Sequence, residues 1–242
     1  MQKVRKAIIA AAGLNSRMYP YTKVESKLFL QILNKPVVEY IIEELASSGI
    51  EEVIIVSNHI SKIKRFFSKD KELNALLKKL KKESAINKFR RIESLCKVNT
   101  IGQYEPMGWM HEVWHARDYV KDEPFIVTFS DVLYRSKVPA AKQIIEKFEK
   151  NNKNIRAQGR FLFKPEIFKT LQNERYNLGE DNVDVNIFEK LSENNDVFNM
   201  NIKGKFYNVG DPLSYMKTET EFALEDKNIG KEYRKFLKSI VK

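Results

Sequence analysis

Two kinds of hydrophobic pattern alternate along this chain. Short apolar runs that stop abruptly at a glycine or a polar residue predict buried strands, and the first three cover residues 6–12, 52–57 and 124–130. Between them lie segments whose apolar residues recur at helical spacing, beginning with residues 37–48, which a proline precedes and a glycine follows. Strands that alternate with helices in this way predict an α/β fold with a mostly parallel, mixed sheet flanked by helices.

The same two patterns continue to the C-terminus. They predict helices over residues 61–67, within a basic stretch at 62–91, and over 109–120, 138–150, 165–172 and 181–192, with closing helices over 212–242. They predict a strand pair or an irregular strand over residues 92–101, a single strand over 155–163, and strands over 197–202 and 206–209. We therefore expect an α/β domain over residues 1–211 and a helical tail over 212–242.

Length and composition narrow the class of protein. A chain of 242 residues with 43% hydrophobic and 31% charged residues can bury a substantial core. No apolar run approaches the length of a membrane span, and the first residues lack the pattern of a signal peptide, so we expect no membrane partner. Cys96 is the only cysteine, which excludes an intrachain disulfide and favours a cytoplasmic location.

The net charge of +11 comes mostly from one stretch. Residues 62–91 contain twelve Lys or Arg and three Asp or Glu. The leucines of this stretch fall at helical spacing, so its lysines coat the solvent side of an amphipathic helix. An acidic partner or an RNA surface is the alternative, but no aromatic-rich RNA-binding motif accompanies the charge. We expect no nucleic-acid partner.

The loop after the first strand carries candidate chemistry. Gly13 ends the apolar run, and Arg17, Lys23 and Lys27 follow before any helix begins. Ligands of parallel sheets bind beyond the carboxyl ends of the strands, and a glycine there frees the backbone to turn amide groups toward an anion. The loop therefore predicts a polyphosphate site. An ordinary loop with solvated charges is the alternative.

This loop resembles the nucleotide-binding signature of sugar-1-phosphate nucleotidylyltransferases, in particular of bacterial-type UTP–glucose-1-phosphate uridylyltransferases. That family has approximately A-G-x-G-T-R-x-x-P-x-T-K-x-x-P-K at this place. The residues of this chain in register with it are Ala12, Gly13, Arg17, Pro20, Thr22, Lys23 and Lys27. The departures are Asn15 for glycine, Ser16 for threonine and Ser26 for proline. Asparagine tolerates positive φ well, so Asn15 is compatible with the loop.

The resemblance implies a Rossmann-like nucleotidyltransferase fold and assigns roles by position. It implies catalytic roles for Arg17 and Lys27, and nucleotide binding by Ala12, Gly13, Lys23, Gln103 and Gly108. It implies sugar binding by Gly179, Glu180 and Asp181, and Mg²⁺ binding by Asp131 and Asn208. Asp131 directly follows a predicted buried strand. The alternative to metal binding is that Asp131 is an ordinary turn or helix-cap residue. Asn208 stands where the family has a second metal-binding aspartate, and a neutral ligand should weaken Mg²⁺ binding.

The resemblance also points to a shortened acceptor side. Between the predicted helix at 138–150 and residue 154 the family has a few dozen further residues, with a hairpin and an E-K-P motif that holds the sugar 1-phosphate. Here three residues bridge the gap, so the sugar-binding part is truncated near residues 151–158. In the stretch that resembles Q-x-x-P-x-G-x-x-H-A-V, Met107 and Met110 replace lysine and glycine.

Three functions follow as alternatives. The first is a uridylyltransferase that forms a UDP-sugar and pyrophosphate from UTP and a sugar 1-phosphate, most simply glucose 1-phosphate; a homo-oligomer is compatible with it. The second is a catalytically impaired relative that binds nucleotide or pairs with an active subunit. The third is a zinc peptidase, because residues 111–115 are H-E-V-W-H and match the H-E-x-x-H motif. In zinc peptidases the two histidines of that motif, one helical turn apart, share a metal, and the glutamate activates water.

Overall fold

A seven-stranded sheet forms the centre of the molecule, and the computed structural model describes residues 3–105, 107–173 and 183–241. The strands are β1 (Lys6–Ala11), β2 (Gln31–Ile32), β3 (Lys35–Pro36), β4 (Glu52–Ser57), β5 (Lys97–Gly102), β6 (Phe125–Phe129), β7 (Val132–Arg135), β8 (Asn154–Ala157), β9 (Arg160–Phe163), β10 (Val197–Asn199) and β11 (Lys205–Asn208). The α-helices are α1 (Val37–Ser47), α2 (Ile60–Phe67), α3 (Lys71–Lys79), α4 (Glu83–Ser94), α5 (Trp109–His115), α6 (Arg117–Val120), α7 (Ala140–Asn151), α8 (Ile167–Asn173), α9 (Val183–Glu193), α10 (Pro212–Glu225) and α11 (Gly230–Ile240).

The strand order of the central sheet is β10-β8-β9-β6-β1-β4-β5. Strands β1, β4, β5 and β6 pair in parallel, and β10 is parallel to β8, whereas β9 runs antiparallel to both of its neighbours. The prediction of a mostly parallel, mixed sheet flanked by helices is confirmed. The carboxyl ends of β1, β4, β6, β8 and β10 all lie at one edge of this sheet, where ligands of α/β proteins bind.

Both faces of the sheet are covered, which explains its continuous apolar runs. Along β1, Ala7, Ile9 and Ala11 face a core shared with α1 and α7, while Ile8 faces a second core shared with α5 and α9. Burial on both sides removes the polar alternation that a half-exposed strand would have. The sequence therefore locates such strands by length and by their ends.

Two strand predictions were wrong. The predicted single strand over residues 155–163 is a hairpin, because the chain reverses at Gly159, whose φ of +64° lies in the left-handed region. The predicted strand pair or irregular strand at residues 92–101 is the end of α4 followed by β5. The short strand β7, which pairs with β11 outside the main sheet, was not predicted. In each case the local apolar pattern suits both structures, and the three-dimensional partner decides.

The closing helices are present, and α10 packs against the α/β body. The Phe222 ring contacts the rings of Tyr40 and Tyr207 edge to face, and Tyr215 donates its hydroxyl proton to the Gln31 carbonyl oxygen. The division of the chain at residue 211 stays a prediction. Among the described residues, no helix combines the length and the apolar character that a membrane span requires.

Candidate active site

A cavity of about 350 Å³ opens at the carboxyl edge of the sheet. It is bounded by the ends of β1 and β6, the loop after β1, and the start of α5. Its lining residues are Ala10, Gly13, Asn15, Ser16, Arg17, Lys27, Gly108, Trp109, Glu112, Phe129, Ser130 and Asp131. Residues 10–27 and two segments about a hundred residues further along the chain, 108–112 and 129–131, thus place a guanidinium, an ammonium and two carboxyl groups around one space.

The loop after β1 is built from three short 3-10 turns, Ser16–Met18, Tyr21–Lys23 and Lys27–Phe29. Asn15 adopts φ 55°, so the prediction that asparagine supports the left-handed conformation here is confirmed. The expectation of an unusual backbone at Gly13 was wrong, because its φ is not positive and a Cβ there would meet nothing closer than 3.9 Å. Gly13 lines the cavity, but its surroundings leave room for a Cβ.

Lys27 forms an ion pair with Asp131 across the cavity wall. The Lys27 Nζ donates to Asp131 Oδ2 at 3.0 Å, and the lysine side chain is 4% exposed against 17% for the aspartate. An ammonium group has three protons, so the group at the cavity wall has donor capacity left for an anionic ligand. The pair fixes the positive charge beside the end of β6.

The other two predicted cations lie differently. Arg17 is exposed and lines the cavity, so its guanidinium is accessible from solvent. The pKa of the nearby Asp211 carboxyl is lowered, first by the bond from the Ser214 amide and also by the charge of Arg17. Lys23 is exposed on the second 3-10 turn and is not part of the cavity wall.

Asp131 and Asn208 converge beside Gly210. The backbone amide of Val209 donates to the Asp131 carbonyl oxygen, and the Gly210 amide donates to Asn208 Oδ1 at 2.6 Å. A Cβ at Gly210 would lie 2.4 Å from Asp131 Oδ2 and 2.9 Å from Asn208 Oδ1, so only glycine leaves these two oxygens their common space. Hard oxygen donors in such a cradle suit a divalent cation that keeps most of its water or phosphate ligands.

Gln103 and Gly108 flank the short loop before α5. Gln103 is buried, and its Oε1 lies 2.9 Å from His111 Nδ1, while its Nε2 has no hydrogen-bond partner among the residues described. Burial, with a contribution from the charge of His115, lowers the pKa of His111 and favours the neutral ring. Gly108 lines the cavity with φ +77° at the start of the helix, a conformation that favours glycine.

Glu112 is a cavity residue whose position the sequence did not reveal. Its Oε2 accepts hydrogen bonds from the amides of Ala11 (2.6 Å) and Ala12 (3.1 Å), at the end of β1. Burial raises the pKa of this carboxyl to about 8, against the two amide bonds, which lower it. The one available signal is a glutamate where the resembled pattern has alanine.

The same contacts overturn the zinc-peptidase alternative. Glu112 is 3% exposed and bonded to the backbone of β1, so it is not aimed at a metal shared by His111 and His115. Among the described residues, no group of three or more His, Cys, Asp or Glu is arranged to hold a metal ion. The predicted sugar-binding residues Gly179, Glu180 and Asp181 lie outside the described residues.

The carboxyl edge of the doubly covered sheet thus brings two cations, Arg17 and Lys27, and the strand-end carboxylate of Asp131 to one cavity. The chain belongs to the nucleotidyl transferase family, whose model matches residues 6–157. Nucleotidyl transferases are enzymes, and the family therefore gives the reaction class.

Individual relatives narrow the comparison. The chain is 31% identical to the UTP–glucose-1-phosphate uridylyltransferase of Bacillus subtilis, with 100% of this chain and 98% of that protein covered. It is 30% identical to UTP–glucose-1-phosphate uridylyltransferase 1 of Staphylococcus saprophyticus, with 99% and 100% covered. The fold is similar to that of the UTP-bound UGPase from Acinetobacter baumannii, with a TM-score of 0.88 at 20% identity over 98% of this chain and 100% of that chain.

The alignment also bears on the shortened acceptor side. It runs over 287 positions with the Bacillus subtilis protein, 45 more than the 242 residues of this chain. That relative therefore has segments without a counterpart here. In the structure only Asn152 and Lys153 connect α7 to β8, so no hairpin is inserted at the place where the resemblance led us to expect the loss.

Proposed function

We propose that the protein transfers the uridylyl group of UTP to a sugar 1-phosphate, most simply glucose 1-phosphate, and releases pyrophosphate. The full-length similarity to relatives named for this activity supports the substrates. The observation that carries the proposal is the convergence of Arg17, Lys27 and Asp131 on one cavity at the sheet edge.

The reaction needs charge neutralisation and alignment more than covalent chemistry. An oxygen of the sugar phosphate attacks the α-phosphorus of UTP, and the bond from that phosphorus to the oxygen bridging to the β-phosphorus breaks in line. Lys27, held by Asp131, would contact the α-phosphate and stabilise the charge that develops there. Arg17, exposed at the same cavity, would neutralise the leaving pyrophosphate.

The metal that we propose for this site is Mg²⁺, which the carboxylate of Asp131 and the side-chain oxygen of Asn208 would hold. When bound, it would neutralise phosphate charge beside Lys27. The cradle at Gly210 and its oxygen donors support this assignment, while the single carboxylate predicts weak binding.

Recognition of the nucleotide would involve the start of α5 and the end of β1. The unpartnered Nε2 of Gln103 and the backbone amides of Gly13 and Gly108 offer hydrogen-bond donors for the carbonyl groups of uracil. The Ala12 amide already donates to Glu112, so Ala12 would contact the base through its carbonyl oxygen. Lys23 would interact with the nucleotide only from outside the cavity. Sugar binding by residues 179–181 stays a prediction. We also propose a cytoplasmic location, which the free thiol of Cys96 supports, and leave a homo-oligomer as a prediction.

Pyrophosphate release from UTP and glucose 1-phosphate tests the proposal. We expect turnover by the native chain in the presence of Mg²⁺ and a loss of about 100-fold or more for Arg17→Ala, because a charge that stabilises the leaving group is removed. UTP binding without pyrophosphate release would instead identify an impaired relative. If the native chain showed no UTP binding and no pyrophosphate release, the proposal would be overturned.

A further inference from the structure

A second hollow lies beside the nucleotide cavity, at the same edge of the sheet. It has a volume of about 410 Å³ and is formed by the turn between β8 and β9, the chain after β10, and the start of α9. The two spaces share an aromatic wall: Trp109, which lines the nucleotide cavity, stacks on Phe161, which lines the second hollow, with ring centroids 4.7 Å apart.

The second hollow also approaches the residues that hold the nucleotide phosphates. Gly159 lines it, and a Cβ at Gly159 would lie 2.7 Å from the Val132 side chain. Val132 directly follows Asp131, the partner of Lys27. A molecule in this hollow would therefore lie next to a nucleotide bound in the first.

One cation marks the second hollow. Arg156 is opposite Phe161 in the β8–β9 pairing and beside Asn199 in the β8–β10 pairing, so the three side chains are neighbours on one face of the sheet. Its guanidinium lies 4.5 Å from the centre of the Phe188 ring. Within the described ranges, no carboxylate lies at ion-pair distance from Arg156, and its charge is therefore free to meet an anion.

We propose that this hollow binds the phosphorylated sugar and that Arg156 pairs with its phosphate group. A guanidinium suits a phosphate because its planar fork can donate two parallel hydrogen bonds. The other polar residues that line the hollow offer the amide and carboxylate groups that sugar hydroxyls bind; they are Gln158, Asp184, Asn199 and Asn201. The identity of the ligand rests on the proposed function. Arg156 would supply the positive charge for the sugar phosphate on the shortened acceptor side.

Steady-state kinetics of the full chain test the assignment. We expect Arg156→Met to raise the KM for glucose 1-phosphate about 10-fold or more and to change the KM for UTP less than 2-fold, while Arg156→Lys recovers part of the loss. The matched control is Arg117→Met, because Arg117 also stacks on an aromatic ring, Trp114 at 4.4 Å, but lies outside both spaces. An unchanged KM for glucose 1-phosphate in Arg156→Met would overturn the inference and leave the proposed function intact.

Direct binding separates the two proposals if there is no turnover. The protein is first loaded with a UTP analogue that has a methylene bridge between its α- and β-phosphorus atoms and therefore cannot react. Glucose 1-phosphate is then titrated into this complex by calorimetry. We expect binding about 10-fold weaker for Arg156→Met than for the native chain and for Arg117→Met, and no binding of glucose. Equal affinity in all three proteins, or no affinity of the native chain, would refute the site.

Discussion

Two ion pairs contact the neighbouring residues Asp131 and Val132: Lys27 pairs with Asp131 itself, and Arg160, which pairs with Glu44, donates to the Val132 carbonyl oxygen. The two pairs have different roles. Arg160 is fully buried below the sheet edge and binds both carboxylate oxygens of Glu44, at 3.1 and 2.7 Å. Lys27 binds one oxygen of Asp131 at the cavity wall. Both pairs join segments more than a hundred residues apart in the chain.

The difference lies in how many donors are used. The Arg160 guanidinium also donates to the carbonyl oxygens of Gly159 and Val132, and Glu44 also accepts from the Ala141 amide, so the pair is enclosed by protein partners. Lys27 has one hydrogen bond within the described part of the chain, to Asp131. A saturated pair holds elements together, whereas an unsaturated pair next to a cavity is available to a ligand.

Breaking the saturated pair should have the largest effect on stability. We expect Arg160→Met to lower the free energy of unfolding by about 3–5 kcal/mol, because Glu44 is left buried with a lone charge. Urea denaturation measures this loss. The double variant Arg160→Met/Glu44→Leu should recover most of it, and a loss below about 1 kcal/mol in the single variant would contradict the structural role.

Breaking the unsaturated pair should affect the reaction first. We expect Lys27→Met to lower the rate of pyrophosphate release about 100- to 1,000-fold, or about 2.7–4 kcal/mol of transition-state stabilisation. Its cost in unfolding free energy should stay below that of Arg160→Met, because cavity water can solvate Asp131. Lys35→Met is the matched control, since Lys35 pairs with Glu43 away from the cavity. A rate within threefold of the native rate would exclude Lys27 from the reaction.

The comparison of these two ion pairs shows which parts of the structure can be predicted from the sequence. The strand over residues 52–57 and the helix after Pro36 follow from apolar runs with clear ends. Part of the cavity lining comes from strand ends and the loop after β1, and the rest comes from the start of α5. The reversal at Gly159 and the Arg160–Glu44 pair depend on contacts between distant segments. The local pattern contains no signal for such contacts, since an arginine within an apolar run reads as an exposed position.

Glu112 illustrates the same limit and gives a prediction for pH. The pKa of its carboxyl is about 8 in the folded protein and near 4.5 in the unfolded chain, so the folded state holds a proton that the unfolded state has lost between these values. This contribution to stability is complete below pH 4.5 and is lost as the pH rises through 8.

Between pH 5 and 6.5, we expect the native chain to lose about 2 kcal/mol more of its unfolding free energy than Glu112→Gln, which keeps an oxygen for the Ala11 and Ala12 amides. Urea denaturation at several pH values measures the difference. The lowered pKa values of His111 and His115 act in the opposite direction in both proteins and cancel in the comparison. Parallel stability curves would show that Glu112 is ionised at neutral pH.

The smallest expected effect comes from a substitution at Asn208, the neighbour of the Lys27–Asp131 pair. Asn208→Asp places a second carboxylate beside Asp131, and the Gly210 amide can still donate to it. Because charge count helps to set the affinity for hard cations, we expect the Mg²⁺ concentration for half-maximal activity to fall about tenfold, or about 1.4 kcal/mol. Calorimetric titration with Mg²⁺ in the presence of the methylene-bridged UTP analogue should give the same ratio.

Asp211→Asn is the control for Asn208→Asp, because the Asp211 side chain caps α10 through the Ser214 amide and asparagine keeps that cap. It should leave the Mg²⁺ requirement unchanged. If Asn208→Asp also leaves it unchanged, the cradle at Gly210 does not hold the metal. Asp131 would then serve the reaction only by holding Lys27, and the two buried ion pairs would differ in their access to ligand alone.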